Sequence, residues 1–264
     1  MMQPAACLTT SDLISALALP SASRVDQRIP KKMLAENGAP TAADRKLIQE
    51  QVEEATWVAA IKPGTSAVPE YRDEQRTYLE LAVVAVNHRL MDADAAKHRR
   101  LAELIHRAIP YPVVLILDGK ASIGMSLAHI RWAQNEADKT VLDGDLTHAA
   151  FGGADIEPAH QQAFLAALAL NQQPCADLRT LYQGWLDTLT AWQAVALTGR
   201  FELSTTPDQA LSRREALRQC RELDLQIAGL YKVADKEKQV ARLVEINQRI
   251  QVLRVQRQQL AARV

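Results

Sequence analysis

By its letters, Asp118-Gly119-Lys120 offers the most chemistry in this chain. An acidic-x-Lys triple on one strand, with an acidic residue at the start of another, can hold Mg²⁺ while the lysine steadies developing charge. Glu80 or Asp73 could supply the second carboxylate. The same letters also have a structural reading. Asp-Gly after an apolar run is a hairpin signal that puts Lys120 at a turn tip, away from the sheet face, and turn chemistry explains the triple fully. No catalytic residue is therefore assigned, and Glu80, Asp118 and Lys120 stand only as a metal-dependent nuclease alternative. His88, His98, His106, His129, His148 and His160 contain no His-x-x-x-His pair and read as surface residues. Cys7, Cys175 and Cys220 are odd in number and widely spaced, which argues against both a disulfide framework and zinc. A nucleophile elbow, a phosphate-binding Gly-rich loop and a dinucleotide fingerprint are all missing, so hydrolase, nucleotidase and dehydrogenase classes lose their sequence support. No metal and no cofactor is expected.

The element that must position any such site is the run entered through Ile109-Pro110-Tyr111-Pro112 and continued by Val113-Val114-Leu115-Ile116-Leu117. Its prolines disfavour helix, and a strand apolar on both faces lies inside a sheet. Asp118-Gly119 supplies residues that tolerate positive φ, and residues 121–127 return as the hairpin mate. Upstream, Ser11-Asp12 caps a short helix over Leu13, Ile14 and Leu17, and residues 24–32 read as a basic, extended, solvated linker. Thr41-x-x-Asp44 opens a helix over 41–56, and Trp57-Val58-Ala59-Ala60-Ile61 is a first strand. Residues 77–86 form a long second strand. Asp92 caps a helix with the apolar stripe Leu101, Leu104, Ile105 and Ala108. Its other face carries Lys97, His98, Arg99, Arg100, His106 and Arg107. In the weakly patterned stretch 131–157, residues 140–142 read as an edge strand, and Asp143-Gly144-Asp145 and Gly152-Gly153 as turns.

From Pro158 the chain turns helical. One helix covers Phe164, Leu165, Leu168 and Leu170. A longer one runs through Leu178, Leu181, Trp185, Leu189, Trp192 and Leu197 to Gly199, with both tryptophans in the core. Thr206-Pro207 starts the last long helical stretch. There Leu223, Ile227, Leu230 and Ala234, then Leu243, Ile246, Ile250, Leu253, Arg257 and Leu260, alternate by three and four around a polar break at 235–238. Such a short seam docks on its own body or on a partner. The exposed face carries Lys232, Lys236, Lys238, Arg242, Arg249, Arg254 and Arg263.

Composition narrows the classes. Hydrophobic residues at 48% and charged residues at 23% are globular values, and 264 residues can bury a substantial core. Lys+Arg and Asp+Glu both total 31, so no global charge favours nucleic acid or membrane. The apolar segment after residue 10 is short and contains two serines, so neither signal peptide nor membrane span is expected, and the expected compartment is the cytoplasm.

Leu19-Pro20 through Arg28-Ile29-Pro30-Lys31-Lys32, the later Ala108-Ile109-Pro110-Tyr111-Pro112, and the helix around Lys236-Glu237-Lys238-Gln239 and Val244-Glu245-Ile246-Asn247 resemble a bacterial and archaeal family catalogued only as domain of unknown function 4391. The resemblance spans nearly the whole chain. It implies no assigned activity. It implies company with helicases and DNA methyltransferases in restriction-like or anti-phage gene sets, which is an association of gene neighbourhood.

The expectation is an α+β fold: a small, mostly antiparallel sheet with packed helices over residues 1–157. A helical region over 158–264 then ends in a long coiled-coil-like helix, with an amphipathic arm from 207. Functionally it is a non-enzymatic accessory subunit that binds a larger protein, a helicase or a DNA methyltransferase, through Leu243, Ile246, Ile250, Leu253 and Leu260. Arg28, Lys31, Lys32, Arg249 and Arg254 could touch nucleic acid through its phosphates. The alternatives are the divergent nuclease and a homo-oligomer built on the C-terminal helix.

Overall fold

The computed structural model describes residues 8–91, 94–120, 122–134, 139–151 and 157–264. The chain divides into two units, one up to Leu189 and one from Thr190 onward. In order, the first contains α1 (Thr10–Ala16), β1 (Arg24–Arg28), α2 (Lys31–Gly38), α3 (Ala42–Gln51), β2 (Val52–Ile61) and α4 (Pro63–Ser66). It continues with β3 (Tyr71–Arg72), β4 (Thr77–Tyr78), β5 (Leu81–His88), α5 (Ala95–Ala108), β6 (Val113–Asp118), β7 (Ile123–Trp132), β8 (Thr140–Phe151) and α6 (Pro158–Ala167). The helix α7 (Leu178–Thr198) crosses the division, and α8 (Pro207–Ala234) and α9 (Val240–Ala261) complete the second unit.

The architecture is α+β, with a six-stranded sheet in the order β1-β2-β5-β6-β7-β8. Only β5 and β6 run parallel, joined across α5; every other neighbouring pair is antiparallel. Val113 to Leu117 are all buried, as a strand apolar on both faces requires. Ala82, Val84 and Val86 of β5 and Val113, Leu115 and Leu117 of β6 share one core with Leu34, Ile48, Leu101 and Ile105 from α2, α3 and α5. The opposite side is tied to α6 and α7. The Tyr182 hydroxyl accepts the Ala128 amide at 2.9 Å and lies 2.7 Å from the Val113 carbonyl, Phe151 stacks on Phe164 at 5.0 Å, and Trp185 Nε1 donates to Leu168 O at 2.8 Å. These ties hold α6 and the first half of α7 to the sheet within the unit that runs to Leu189.

Several local expectations change. Residues 24–28 form no linker; they are an edge strand paired to β2, with Arg24 bonded to Asp26, which takes φ 49° at a register shift. Lys31 and Lys32 open α2. The helix from Thr41 stops at Gln51, because Val52 and Ala55 are buried in β2 and pair with β5. Residues 77–86 are broken into β4, which pairs only with β3, and β5. The Asp143-Gly144-Asp145 signal lies inside β8, where Gly144 at φ 86° takes up the register shift between Leu127 and His129. Asp92, Gly152-Gly153 and Cys7 lie outside the described residues, and the N-cap of α5 is Asp94. The hairpin after Asp118, the α5 stripe, the burial of Trp185 and Trp192, the Thr206 cap and the Gly199 terminus all stand.

Two further contacts hold α5. Arg100 grips Asp44 of α3 through two bonds of 2.8 Å, which keeps that carboxyl well below the usual carboxylate range. Gly38 ends α2 against α5 so closely that a Cβ there would overlap Leu104 O and lie 2.9 Å from the Ala108 Cβ. Gly38→Ala should therefore lower the unfolding free energy by about 1–3 kcal/mol in urea titration, the usual cost of overpacking against backbone.

Candidate functional site

Because β5 and β6 are parallel, their C-terminal ends meet at one margin of the sheet, where ligand crevices of open α/β sheets usually form. Asn87 pairs with Asp118 there, and Val52 of β2 pairs with His88. The Asp118 carboxylate accepts the Thr10 hydroxyl at 2.6 Å, and the Gly119 amide donates to Ser122 O at 3.0 Å to close the hairpin. Gly119 is not at positive φ; it is needed because a Cβ would lie 2.7 Å from His88 Cε1. Lys120 is exposed at the tip.

Glu80 precedes β5 at the other end of the same strand, about 20 Å away along an eight-residue strand, and it pairs with Lys62 at 2.8 Å. Glu80, Asp118 and Lys120 therefore do not form one site. Asp73 accepts the amides of Gln75 and Arg76 and the Tyr71 hydroxyl, which hold its carboxyl at about 2. Among the described residues, no group of three or more His, Cys, Asp or Glu side chains is placed to hold a metal ion.

The histidines are less exposed than their sequence suggests. His106 of α5 is buried, with Nε2 3.0 Å from Ser126 Oγ of β7 and its Nδ1 lacking a hydrogen-bond partner. Burial pushes its pKa down to about 3, with the nearby His148 imidazole adding to the shift. His148 of β8 is held at about 4 by burial and then by the charges of His98, Arg99 and His88. His88 is buried too. It accepts the Leu90 amide at 3.2 Å and meets the His98 ring edge-on at 4.8 Å. Four imidazoles are thus gathered around α5. A signal was available for His106, which stands four residues after Ala102 on the apolar side of the helix. His129 makes a second polar chain: its Nδ1 faces Tyr78 OH at 2.6 Å and its Nε2 faces Gln183 Oε1 at 2.8 Å. Since that oxygen only accepts, Nε2 carries the proton and Nδ1 accepts from the tyrosine.

The basic residues of the first unit are partly committed to structure. Arg28 is exposed on β1, Lys32 is exposed and 3.8 Å from Glu36, and Lys31 Nζ donates to Val52 O at 2.7 Å. Arg89, not singled out in the sequence, bonds Glu53 at 2.6 Å. That bond, helped by the charges of Lys120 and Lys31, holds the Glu53 carboxyl below its usual range.

In the second unit, α8 and α9 form an antiparallel helical hairpin that turns at residues 235–239. Arg213 Nε donates to Val264 O at 3.0 Å, Cys220 Sγ points at Arg257 O, and Arg257 Nε bonds Asp224 at 2.6 Å. Leu223, Ile227 and Leu230 on α8, and Leu243, Ile246, Ile250, Leu253 and Leu260 on α9, are less exposed than the residues around them. The seam expected to hold a partner is therefore the line along which the two helices of the arm meet. Arg254 lies over the Tyr231 ring at 5.6 Å, and Arg249 is exposed.

A family model described as a domain of unknown function (DUF4391) matches residues 17–256, which takes in every strand and most of the hairpin. No curated protein and no solved structure is matched. Among the described residues, no helix is long and apolar enough to cross a membrane.

The buried imidazoles give a signed pH dependence. His106 and His148 titrate below 6.5 when folded, so the unfolded chain takes up their protons first. Their contribution is intact above about pH 6.5 and is lost as pH falls toward 4 and 3, at a slope of up to about 1.4 kcal/mol per pH unit for each. Urea midpoints should drop between pH 7 and pH 5, and His106→Gln with His148→Gln should flatten that drop.

Proposed function

Because the chain belongs to the DUF4391 family, which carries no assigned activity, we propose that it is a non-enzymatic accessory subunit binding a larger protein through its α8–α9 arm. The observation that carries this reading is the exposure of large apolar side chains along the arm: Leu211, Leu225, Val240, Val244, Val252 and Val255 are each at least half exposed. Exposed apolar residues concentrated on one helical element favour a protein contact. The family resemblance implies company with helicases and DNA methyltransferases, so the proposed partner is one of these, in a restriction-like or anti-phage set in the cytoplasm. The separation of Glu80 from Asp118 removes the geometric support for the nuclease alternative.

Nucleic acid enters as a second contact of the assembled complex. Arg28 and Lys32 present charge to solvent on neighbouring elements and suit phosphates, without reading base edges. Lys31 contributes less, since its ammonium is engaged by the Val52 carbonyl.

Co-expressed with a helicase or DNA methyltransferase found to be encoded beside it, the chain should elute with that enzyme in one peak. Elution of the chain alone, or as a self-associated species unaffected by either enzyme, would overturn the reading. In the complex, Arg28→Ala with Lys32→Ala should weaken duplex DNA binding and lower the log–log salt slope by about 2. An unchanged slope would remove these residues from the contact.

A further inference from the structure

The side of α9 turned away from the α8 seam carries no charge along its whole length. Val240, Val244, Asn247, Gln248, Gln251, Val252, Val255 and Gln259 fall within about 140° of one another at 100° per residue, and all are exposed. A solvated face of a six-turn helix normally carries Lys, Glu or Arg in such positions, and this chain places them beside the band. Arg242, Arg249 and Arg263 follow one edge at heptad intervals, Arg254 lies by the other, and Glu245 is the only acid of α9. Val252, Val255, Gln251, Gln256 and Gln259 line a shallow depression, which Gln256 and Gln259 share with a groove toward Leu260 of α9 and Leu223 of α8. Arg249 and Arg263 make no ion pair with any described residue.

We propose that this band is the docking face for one amphipathic helix of the partner, whose apolar stripe lies on Val244, Val252 and Val255 and whose flanking carboxylates meet Arg249 and Arg263. The inference rests on the accessory-subunit reading and names the chemistry of the surface that reading requires. Charge selects this occupant. A second copy of α9 would bring four arginines against four with one glutamate on each side, and a phosphate backbone would gain nothing from a band of valines and glutamines. An acidic amphipathic helix satisfies both parts of the surface and completes a three-helix layer over the hairpin.

The test uses the full chain and two synthetic helical peptides of about 21 residues. Both share a Leu stripe; one is flanked by Glu and the other by Lys. The Glu peptide should bind at least tenfold more tightly by fluorescence anisotropy. Val244→Arg with Val255→Arg should abolish that binding at unchanged helicity, and Arg249→Glu with Arg263→Glu should reverse the preference. Equal binding of both peptides, or binding untouched by the valine substitutions, would overturn the proposal. So would a concentration-dependent dimer in light scattering that the valine substitutions abolish. Co-elution with the larger enzyme that survives Val244→Arg with Val255→Arg would sink this face and leave the accessory role standing; loss of co-elution in the unaltered chain would sink that role first.

Discussion

The parallel pairing of β5 with β6 is the constraint on which the first unit depends. Two parallel neighbours cannot be joined by a tight turn, so the chain must leave the sheet, cross one face as α5 and return. A parallel pair is also buried on both faces, which calls for helices on both sides. α2, α3 and α5 cover one and α6 and α7 the other. The close meeting of α2 with α5 at Gly38, the Arg100–Asp44 clamp and the imidazoles gathered around α5 all follow from fixing that crossover tightly.

What could be read in the sequence was what carries its own pattern. The strand 113–118 announces itself by being apolar without interruption, and α5 by its stripe of Leu101, Leu104 and Ile105. β1 has no such signature: most of its residues are exposed, and it becomes a strand only through hydrogen bonds to β2. The end of α3 was hidden for a related reason. Val52 and Ala55 continue a helical spacing, yet burial against β5 outweighs that local preference. One glycine signal misled: Gly144 serves a bulge within a strand. Gly119 does stand in the hairpin, and it makes room for the His88 ring without adopting positive φ.

The candidate site separates in the same way. Asp118 and Lys120 are two residues apart in sequence, but their supposed partner Glu80 precedes the strand that ends beside Asp118, so strand length alone keeps them apart. The heptad spacing of α8 and α9 was legible. Its occupant was not, because three-and-four spacing describes a seam without saying whether the opposite helix belongs to the same chain. A five-residue turn lets α9 fold back and satisfy that seam internally, which leaves the other side of the helix as its exposed face.

The two margins of the sheet are interrupted by different devices. At β1 a paired Arg24 and Asp26, with Asp26 at φ 49°, breaks the regular ladder; at β8 the Gly144 kink interrupts it. Among the described residues, another copy therefore meets a ladder with a break in it at each margin. Cross-β stacking, which needs flat and unbroken strands, is disfavoured at both.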